Sequence, residues 1–327
     1  MNPKRFGRLF FTALLSAALA PSSGAFGIEG HFERALKVTG PVELEAGTGA
    51  GSITVRTGDA AIVHVSGTIR ATNAWFGDAE AEKKVRYLEA NPPIEQHGNI
   101  IKIGQIEDRE LQRNISISYE LQVPVETRLR TGTGSGNQSV EGIRGPWDAS
   151  TGSGSINGAN IGGEVRASSG SGRIDLERVK GEVHASSGSG PIRAIAVAGG
   201  LRASTGSGTV TLEQTAAGDV DVTTGSGTIR LTGVRGAVRA HTASGSITAQ
   251  GEPSGAWRLQ TASGSVGVRL PAKTGFTLHA HTVSGTIHTA REMTVQGTLS
   301  RRELEGRVGD GGFLLDVSTV SGNIHVE

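Results

Sequence analysis

Apolar and polar residues alternate along most of the second half of the chain, in a pattern that recurs every 18 or 19 residues. If the apolar residue that follows each Ser-Gly-x is taken as an anchor, successive anchors lie 18, 18, 18, 19, 18, 19 and 21 residues apart. The anchors are Ile156, Ile174, Ile192, Val210, Ile229, Ile247, Val266 and Ile287. A period this regular is typical of a fold made of stacked copies of one supersecondary unit.

Within each copy, the residues nine and seven positions before the anchor are apolar, and the residue between them is mostly charged. Apolar, polar, apolar is the pattern of a strand with one buried face. We therefore expect the apolar columns to be buried and the column between them to be exposed. The expected core residues are Val165, Ala167, Ile174, Val183, Ala185, Ile192, Val220 and Ile229, and the expected exposed residues are Arg166, His184 and Arg202.

Glycine stands two positions before every anchor, and Ser or Thr stands five and three positions before it. The glycine marks a corner that requires positive φ or a close approach of the backbone. If the alternation continues past the alanine column, the hydroxyls point inward and bond from one copy to the next. If a turn reverses the alternation, they form a flat exposed face suited to ice or a crystalline surface. We expect the inward arrangement for Thr205, Ser207, Thr224 and Ser226.

A unit of 18 residues is shorter than a propeller blade of about 40 residues, and it lacks the helical pattern of ankyrin or tetratricopeptide repeats. At about 3.3 Å per residue it traces a flattened loop of two or three short strands, and such loops stack about 4.8 Å apart. The sequence therefore predicts an all-β protein, with a β-solenoid of about 18-residue rungs over residues 129–327. An outlying copy surrounds Ile53. Ile324 lies 37 residues after Ile287, which predicts one degenerate turn between them.

Residues 28–128 alternate without the 18-residue repeat. We expect a β-rich N-terminal section that caps the coil and covers its open sheet edge. Asp78 precedes "AEAEKKVRYLEA", which predicts one short helix that ends at Asn91-Pro92-Pro93. The basic residues of this helix, Lys83, Lys84 and Arg86, are expected to form a solvated face.

Residues 1–25 have the features of a signal peptide. Lys4, Arg5 and Arg8 precede the apolar run "LFFTALLSAALA", which is followed by small residues. The run is shorter than the roughly 20 residues that span a bilayer. The mature chain is therefore expected to be exported, to be periplasmic, cell-surface or secreted, and to contain no transmembrane segment.

Composition narrows the classes of function. Glycine accounts for 50 of 327 residues, roughly double its usual share of about 7%. Cysteine is absent, which excludes disulfides, thiolate nucleophiles and cysteine zinc sites. The net charge is +1, so global charge indicates neither a nucleic acid nor an acidic membrane as partner.

Several passages resemble a known family. These are "LQVPVETRLRTGTGSG", the recurring "SGSI"-type rungs and "LEGRVGDGGFLLDVSTVSGNIHVE". Together with the leading β section, their order resembles the bacterial putative-adhesin family of β-strand-repeat proteins, a domain of unknown function, over roughly residues 35–327. The resemblance implies an adhesin-like, extracytoplasmic protein and supplies no catalytic residue.

The expected function is therefore that of a non-catalytic rod, adhesin-like, which presents repeated side-chain columns to a surface, a glycan or an envelope component. An envelope sensor or regulatory accessory is one alternative. A polysaccharide-active enzyme on a β-helix is another, but it needs carboxylates that converge on one face. The outward carboxylates Asp148, Asp175, Asp221 and Asp316 are scattered along the sequence. The "TGSG" runs lack the Gly-Lys-Ser/Thr of a phosphate loop, and no cofactor is expected.

One candidate binding patch emerges from the last rungs. It comprises Arg239, His241, Arg258, Gln260, His279 and His281, which lie eight or six positions before the anchors Ile247, Val266 and Ile287. Three interpretations stay open: a polar solvated face, an anion-binding patch for acidic glycan or phosphate, and a metal site on His279 and His281. The metal site lacks a third ligand, because His241 is expected two rungs away, about 9.6 Å at strand spacing. No metal is therefore assigned.

Overall fold

A computed structural model describes residues 28–71, 78–106, 108–295 and 300–327. The predicted signal peptide, residues 1–25, lies outside the described residues. In the described part, most residues form strands, and the two helices are α1 (Asp78–Ala90) and α2 (Arg109–Gln112). The helix predicted after Asp78 is α1, and it ends directly before Asn91-Pro92-Pro93.

The strands fall into three groups along the chain. The first seven are β1 (Ile28–Lys37), β2 (Val42–Thr48), β3 (Ile53–Thr57), β4 (Ile62–Ala71), β5 (Ile94–His97), β6 (Ile100–Ile103) and β7 (Ile115–Val123). The regular part contains β8 (Thr127–Thr133), β9 (Gln138–Glu141), β10 (Trp147–Thr151), β11 (Ile156–Ile161), β12 (Val165–Ser169), β13 (Ile174–Val179), β14 (Val183–Ser187), β15 (Ile192–Val197), β16 (Leu201–Thr205), β17 (Val210–Gln214), β18 (Val220–Thr224), β19 (Ile229–Val234), β20 (Val238–Ser244), β21 (Ile247–Gly251), β22 (Trp257–Ser263) and β23 (Val266–Arg269). The last six are β24 (Phe276–Ser284), β25 (Ile287–Thr289), β26 (Thr294–Val295), β27 (Glu303–Val308), β28 (Phe313–Ser321) and β29 (Ile324–Val326).

Two long sheets face each other across one core. Each regular rung contributes an even-numbered strand to sheet B and the following odd-numbered strand to sheet A, and successive rungs pair in parallel. The predicted all-β solenoid is confirmed, with two strands in each rung. The register aligns equivalent positions, so that Val165 lies beside Val183 and Ile174 beside Ile192.

The core is formed by the apolar columns that the alternation predicts. All eight expected core residues are at most 4% exposed. Arg166 and Arg202 are exposed as expected, whereas His184 is half-buried. The reason is local: the Nε2 atom of His184 lies 3.4 Å from a carboxylate oxygen of Glu164 and 3.3 Å from one of Glu182, and these glutamates cover the ring.

The inward hydroxyl column joins each rung to the one before it. The Thr205 hydroxyl donates to the carbonyl of Gly190 at 3.0 Å and accepts the backbone N–H of Gly208 at 3.1 Å. The same donation recurs at Ser169, Ser187, Thr224, Thr242 and Thr261. Thr205 and Thr224 therefore bond between rungs as expected, and their hydroxyls donate to glycine carbonyls of the preceding rung.

The column three positions before the anchor does not point inward. Thr205 and Thr224 are 4% and 1% exposed, but Ser207 and Ser226 are exposed. The prediction is wrong for the second pair, because the chain turns at the intervening glycine and the strand alternation ends there. The outer corner of the coil therefore carries one exposed serine per rung.

Glycine is required where the rungs approach each other at this corner. A Cβ atom on Gly172 would lie 1.8 Å from the carbonyl oxygen of Gly154, far inside van der Waals contact. Hence the glycine two positions before the anchor recurs in every copy, since any side chain there would separate adjacent rungs.

The ends of the coil are stacked out of sequence order. At the C-terminal end, β28 pairs in parallel with both β22 and β24, and β29 pairs with both β23 and β25. The rung that contains Ile324 therefore lies between two rungs that are consecutive in the sequence. The predicted degenerate turn before Ile324 is wrong, because Thr294–Val295 and Glu303–Val308 form the antiparallel strands β26 and β27 at the edge of sheet B.

The N-terminal end is built the same way. The rung of β2 and β3, around Ile53, pairs with β8 and β9 on one side and with β6 and β7 on the other. Both sheets therefore continue without a break across residue 129, where the sequence places the boundary between the two sections. That boundary stays a prediction.

Antiparallel strands and a helix cover the N-terminal end of sheet A. β7 pairs with β4, and β4 pairs with β1, while Val85 and Leu88 of α1 are buried in the core. Tyr119 lies here edge-on to Phe32, with ring centroids 6.4 Å apart. Burial raises the pKa of the Tyr119 hydroxyl. The expected capping of this sheet end by a β-rich segment with a helix agrees with these contacts.

We expect Thr205→Val to lower the free energy of unfolding by about 3 kcal/mol, because it leaves the Gly190 carbonyl and the Gly208 N–H buried without partners. Thr205→Ser keeps the hydroxyl and serves as the matched control, with a loss below about 1 kcal/mol. Urea denaturation measures both. Equal stability of the valine and serine variants would contradict the role assigned to this hydroxyl.

The out-of-order stacking is testable with engineered cysteines, since the chain has none. Val283 of β24 and Val320 of β28 are both 53% exposed. They lie opposite each other, because the residues on either side of them are paired in the register of the two strands. Adjacent strands are about 4.8 Å apart, so Val283→Cys with Val320→Cys should form a disulfide. Ala262→Cys with Val283→Cys should not, because β28 separates them. Non-reducing electrophoresis with thiol counting distinguishes the pairs, and the reverse result would exclude the inserted rung.

Candidate functional site

The outer face of sheet B carries two columns of side chains along the coil. They are the residues eight and six positions before each anchor, which alternate with the buried columns. Arg166 and Ser168, for example, lie beside His184 and Ser186 of the next rung. The first column is mainly charged, whereas the second is mainly serine over the central rungs.

The predicted patch lies on the C-terminal part of this face, and all six of its side chains are exposed. β20 carries Arg239 and His241, β22 carries Arg258 and Gln260, and β24 carries His279 and His281. β20 and β22 are neighbours, so Arg239 lies beside Arg258 and His241 beside Gln260. The two histidines of β24 are not next to them, because β28 places Asp316 and Ser318 in between.

This insertion changes the distances on which a metal site depends. His241 and His281 are three strands apart in sheet B, about 14 Å at strand spacing, rather than the two rungs expected. Within residues 28–71, 78–106, 108–295 and 300–327, no three His, Asp or Glu side chains are placed to share a metal ion.

Both arginines of the patch have carboxylate neighbours. Arg239 lies 3.8 Å from an oxygen of Asp221, and Arg258 lies 3.8 Å from an oxygen of Asp316. Exposed pairs of this kind contribute at most about 1 kcal/mol to stability, but they offset the positive charge that an anionic ligand would meet. The binding role of the patch stays a prediction.

The two aspartates are the residues that the sequence reasoning did not include in the patch. Asp316 stands eight positions before Ile324, and so it belongs to the same column as Arg258. The alignment of repeats therefore contained the signal. What it lacked was the order of the rungs, which decides which members of a column are neighbours.

Opposite charges alternate along much of this column. Starting at the N-terminal end of sheet B, its members are Glu95, Lys102, Glu45, Arg130, Asp148, Arg166, His184, Arg202, Asp221, Arg239, Arg258, Asp316, His279 and Glu305. A parallel, in-register stack places equivalent residues side by side, where like charges would be destabilising. The alternation therefore supports the register, and Arg239 beside Arg258 is an exception.

A shallow groove of about 580 Å³ follows the serine column. Ser168, Ser186 and Ser204 line it, with Arg166 and Arg202 among the residues along one side. The hydroxyls of Ser168 and Ser186 are 3.2 Å apart. Because each rung adds one hydroxyl about 4.8 Å from the last, the groove presents a repeating polar surface along the axis of the coil.

The carboxylates considered for catalysis are each near an arginine. Asp148 lies 3.8 Å from Arg130, and Asp175 lies 3.7 Å from Arg193. Asp175 is on sheet A, whereas Asp148, Asp221 and Asp316 are on sheet B and are spread along it. These four carboxylates do not converge on one site.

A two-sheet solenoid of parallel rungs defines the class of fold. The chain belongs to the Toastrack DUF4097 family, since the model of that family matches residues 116–327, more than half of the chain. The family is a domain of unknown function, and the expected membership of an adhesin-like family without assigned chemistry is confirmed.

The solved structures that match this chain include three from Clostridium sporogenes, Bacteroides fragilis and Parabacteroides distasonis. A putative cell adhesion protein from Clostridium sporogenes is 9% identical, with a TM-score of 0.26, and the match covers 91% of this chain and 99% of that one. Putative adhesins from Bacteroides fragilis and Parabacteroides distasonis are 13% and 9% identical, with TM-scores of 0.33 and 0.37, and each match covers 91% of this chain and 97% of the other. None of the curated proteins compared matches the chain. Among the described residues, no helix has the length and apolarity needed to cross a membrane.

The effect of the aspartates on the patch is testable by charge removal. We expect Asp221→Asn with Asp316→Asn to strengthen binding to an acidic polysaccharide several-fold at low salt, because the variant frees the charges of Arg239 and Arg258. Adding Arg239→Ala and Arg258→Ala should remove the gain. Biosensor titrations with heparin measure both, and a gain that survives without the arginines would locate anion binding elsewhere.

Proposed function

We propose that this protein is a non-catalytic, adhesin-like binding rod that is exported and presents the outer face of sheet B to an envelope or extracellular partner. The observation that carries the proposal is the serine groove, which repeats the same polar surface from rung to rung. A repeating surface suits a partner that is itself repetitive, such as a polysaccharide.

The rigidity of the coil supports this role. Each rung is held to the next by in-register backbone pairing and by the buried hydroxyl bonds to glycine carbonyls. A rigid surface loses little conformational entropy on binding, so more of the interaction energy appears as affinity.

The arrangement of the charged groups also supports binding over catalysis. General acid–base chemistry on a glycan requires two carboxyl groups on either side of one bond. Here Asp148, Asp221 and Asp316 are near Arg130, Arg239 and Arg258 on separate rungs of one flat face.

Export is part of the proposal. It depends on the basic residues and the apolar run in residues 1–25. The direct check is N-terminal sequencing of the protein recovered from the producing cell, which should show a chain that begins after the small residues near positions 20–25.

We expect Ser186→Arg, which places a long charged side chain in the serine groove, to weaken binding to the partner at least tenfold. Thr248→Arg adds the same side chain at an exposed strand position of sheet A, and it should bind like the parent protein. Glycan arrays and envelope pull-downs with the mature chain identify the partner, and titrations compare the variants.

Two results would count against the proposal. If the parent protein binds no glycan and no envelope component, the role of a binding rod fails. If Ser186→Arg and Thr248→Arg bind equally well, the protein binds through another surface and sheet B is not the binding face.

A further inference from the structure

A second concave surface lies on the other sheet, at its N-terminal end. The outer face of sheet A forms a groove of about 670 Å³ across β1, β4, β7 and β3. β4 pairs antiparallel with both β1 and β7, and β7 pairs in parallel with β3. Its lining includes Glu33, Thr54, Arg56, His64, Ser66 and Glu120. This surface is on the opposite face from the serine groove, and the proposal below does not depend on the proposed function.

Short side chains interspersed among longer ones make the surface concave. Ala35 and Ser66 lie on the two neighbouring strands β1 and β4, with Thr54 further along on β3. The longer side chains of Glu33 and Glu120 flank Ser66 in one row across the strands, and Arg56 lies in the neighbouring row. The groove is therefore built from a difference in side-chain length on one sheet face.

The register arranges the charges of the groove in two rows across the strands. One row contains Glu33, Ser66 and Glu120, and the other contains His64, Gln122 and Arg56. The rows are two residues apart along each strand, about 6.7 Å. One row is acidic and the other is basic or polar, so the groove has a negative side and a positive side.

These charges lack the ion-pair partners that Arg239 and Arg258 have on sheet B. Among the described residues, Glu33, Glu120 and Arg56 have no oppositely charged atom within 4.0 Å. Two further charges border the groove: the Arg34 side chain donates to the Glu33 carbonyl at 2.8 Å, and Glu141 lies beside Arg56 in the register. Within the described ranges, neither forms an ion pair within 4.0 Å with Glu33, Glu120 or Arg56.

We propose that this groove binds a small zwitterion, with its ammonium group between Glu33 and Glu120 and its carboxylate or phosphate at Arg56 and His64. Charges of opposite sign on the ligand and on each row give the orientation. A guanidinium group suits carboxylates and phosphates because its N–H groups form a planar fork. The ligand chemistry is therefore that of an amino acid or of an ethanolamine phosphate headgroup.

The distance between the rows makes the proposal testable by chain length. Calorimetric titration of the full chain with glycine, 4-aminobutanoate and 6-aminohexanoate should show affinity rising with length, because the longer chain reaches both rows. Hexanoate and hexylamine each carry one of the two charges and should bind at least tenfold more weakly than 6-aminohexanoate. Equal binding of all five compounds would overturn the proposal.

Variants separate the two rows. Arg56→Ala should weaken 6-aminohexanoate binding at least tenfold, and Glu120→Gln should do the same while leaving the weak binding of hexanoate unchanged. Arg230→Ala is the matched control, since Arg230 is another exposed arginine on the outer face of sheet A, and it should bind like the parent. If Arg56→Ala and Arg230→Ala behave alike, the groove is not the site.

Two further probes distinguish the sources of the ligand. Binding of soluble phosphoethanolamine without binding to phosphatidylethanolamine vesicles would identify a free small molecule. Binding of both, each lost in Arg56→Ala, would identify the lipid headgroup. If neither phosphoethanolamine nor an aminoalkanoate binds the parent chain, the proposal is wrong.

Discussion

The bond from a buried hydroxyl to the glycine carbonyl of the preceding rung is the interaction on which the rest of the structure depends. Each hydroxyl of this kind has a donor role and an acceptor role, and at Thr205 both are filled by glycine backbone groups. The corner of every rung would otherwise bury a carbonyl and an N–H without partners, which is costly in an apolar interior. The bond also holds the rungs so close that only glycine fits at the corner. A Cβ atom placed on Gly172 would lie only 1.8 Å from the carbonyl oxygen of Gly154. Hydroxyl and glycine therefore recur together, and the strict register of both sheets follows from their stacking.

The same bonds continue through the rungs that are stacked out of sequence order. Thr319 of the last rung donates to Gly264 at 2.9 Å, and Thr282 donates to Gly322 at 3.1 Å. A solenoid in which each rung touches only its sequence neighbours can open from its ends, because stability is a sum of nearest-neighbour terms. Inserting a sequence-distant rung at each end requires a longer segment to detach before the end can open. Antiparallel strands then form the N-terminal edges of both sheets and the C-terminal edge of sheet B, which limits pairing with other chains there.

The two outer faces use charge differently, and this difference guides the assignment of sites. On sheet B, alternating charges and ion pairs such as Arg258 with Asp316 leave a face with little net field, beside a row of small hydroxyl side chains. At the N-terminal end of sheet A, Glu33, Glu120 and Arg56 have no ion-pair partner among the described residues and line a concave surface. Paired charges on a regular face contribute to register, whereas unpaired charges of both signs around a hollow are available to a ligand. The rod thus offers a repetitive surface along its length and a separate hollow near one end.

The sequence by itself determined the repeat, the buried columns and the glycine corners, because each depends on residues within one rung and on a period of two along a strand. It also placed the helix before Asn91-Pro92-Pro93, where capping and proline act locally. The direction of Ser207 was not decided at this level, since it depends on how the chain turns at the preceding glycine. The sequence by itself did not decide the order of the rungs either. Asp316 separates Arg258 from His279 only because β28 inserts between β22 and β24. Copies of one repeat are nearly equivalent as neighbours, so local patterns cannot choose among their stacking orders. That choice depends on the connections at both ends and on the antiparallel strands that cover them, which only the tertiary structure contains.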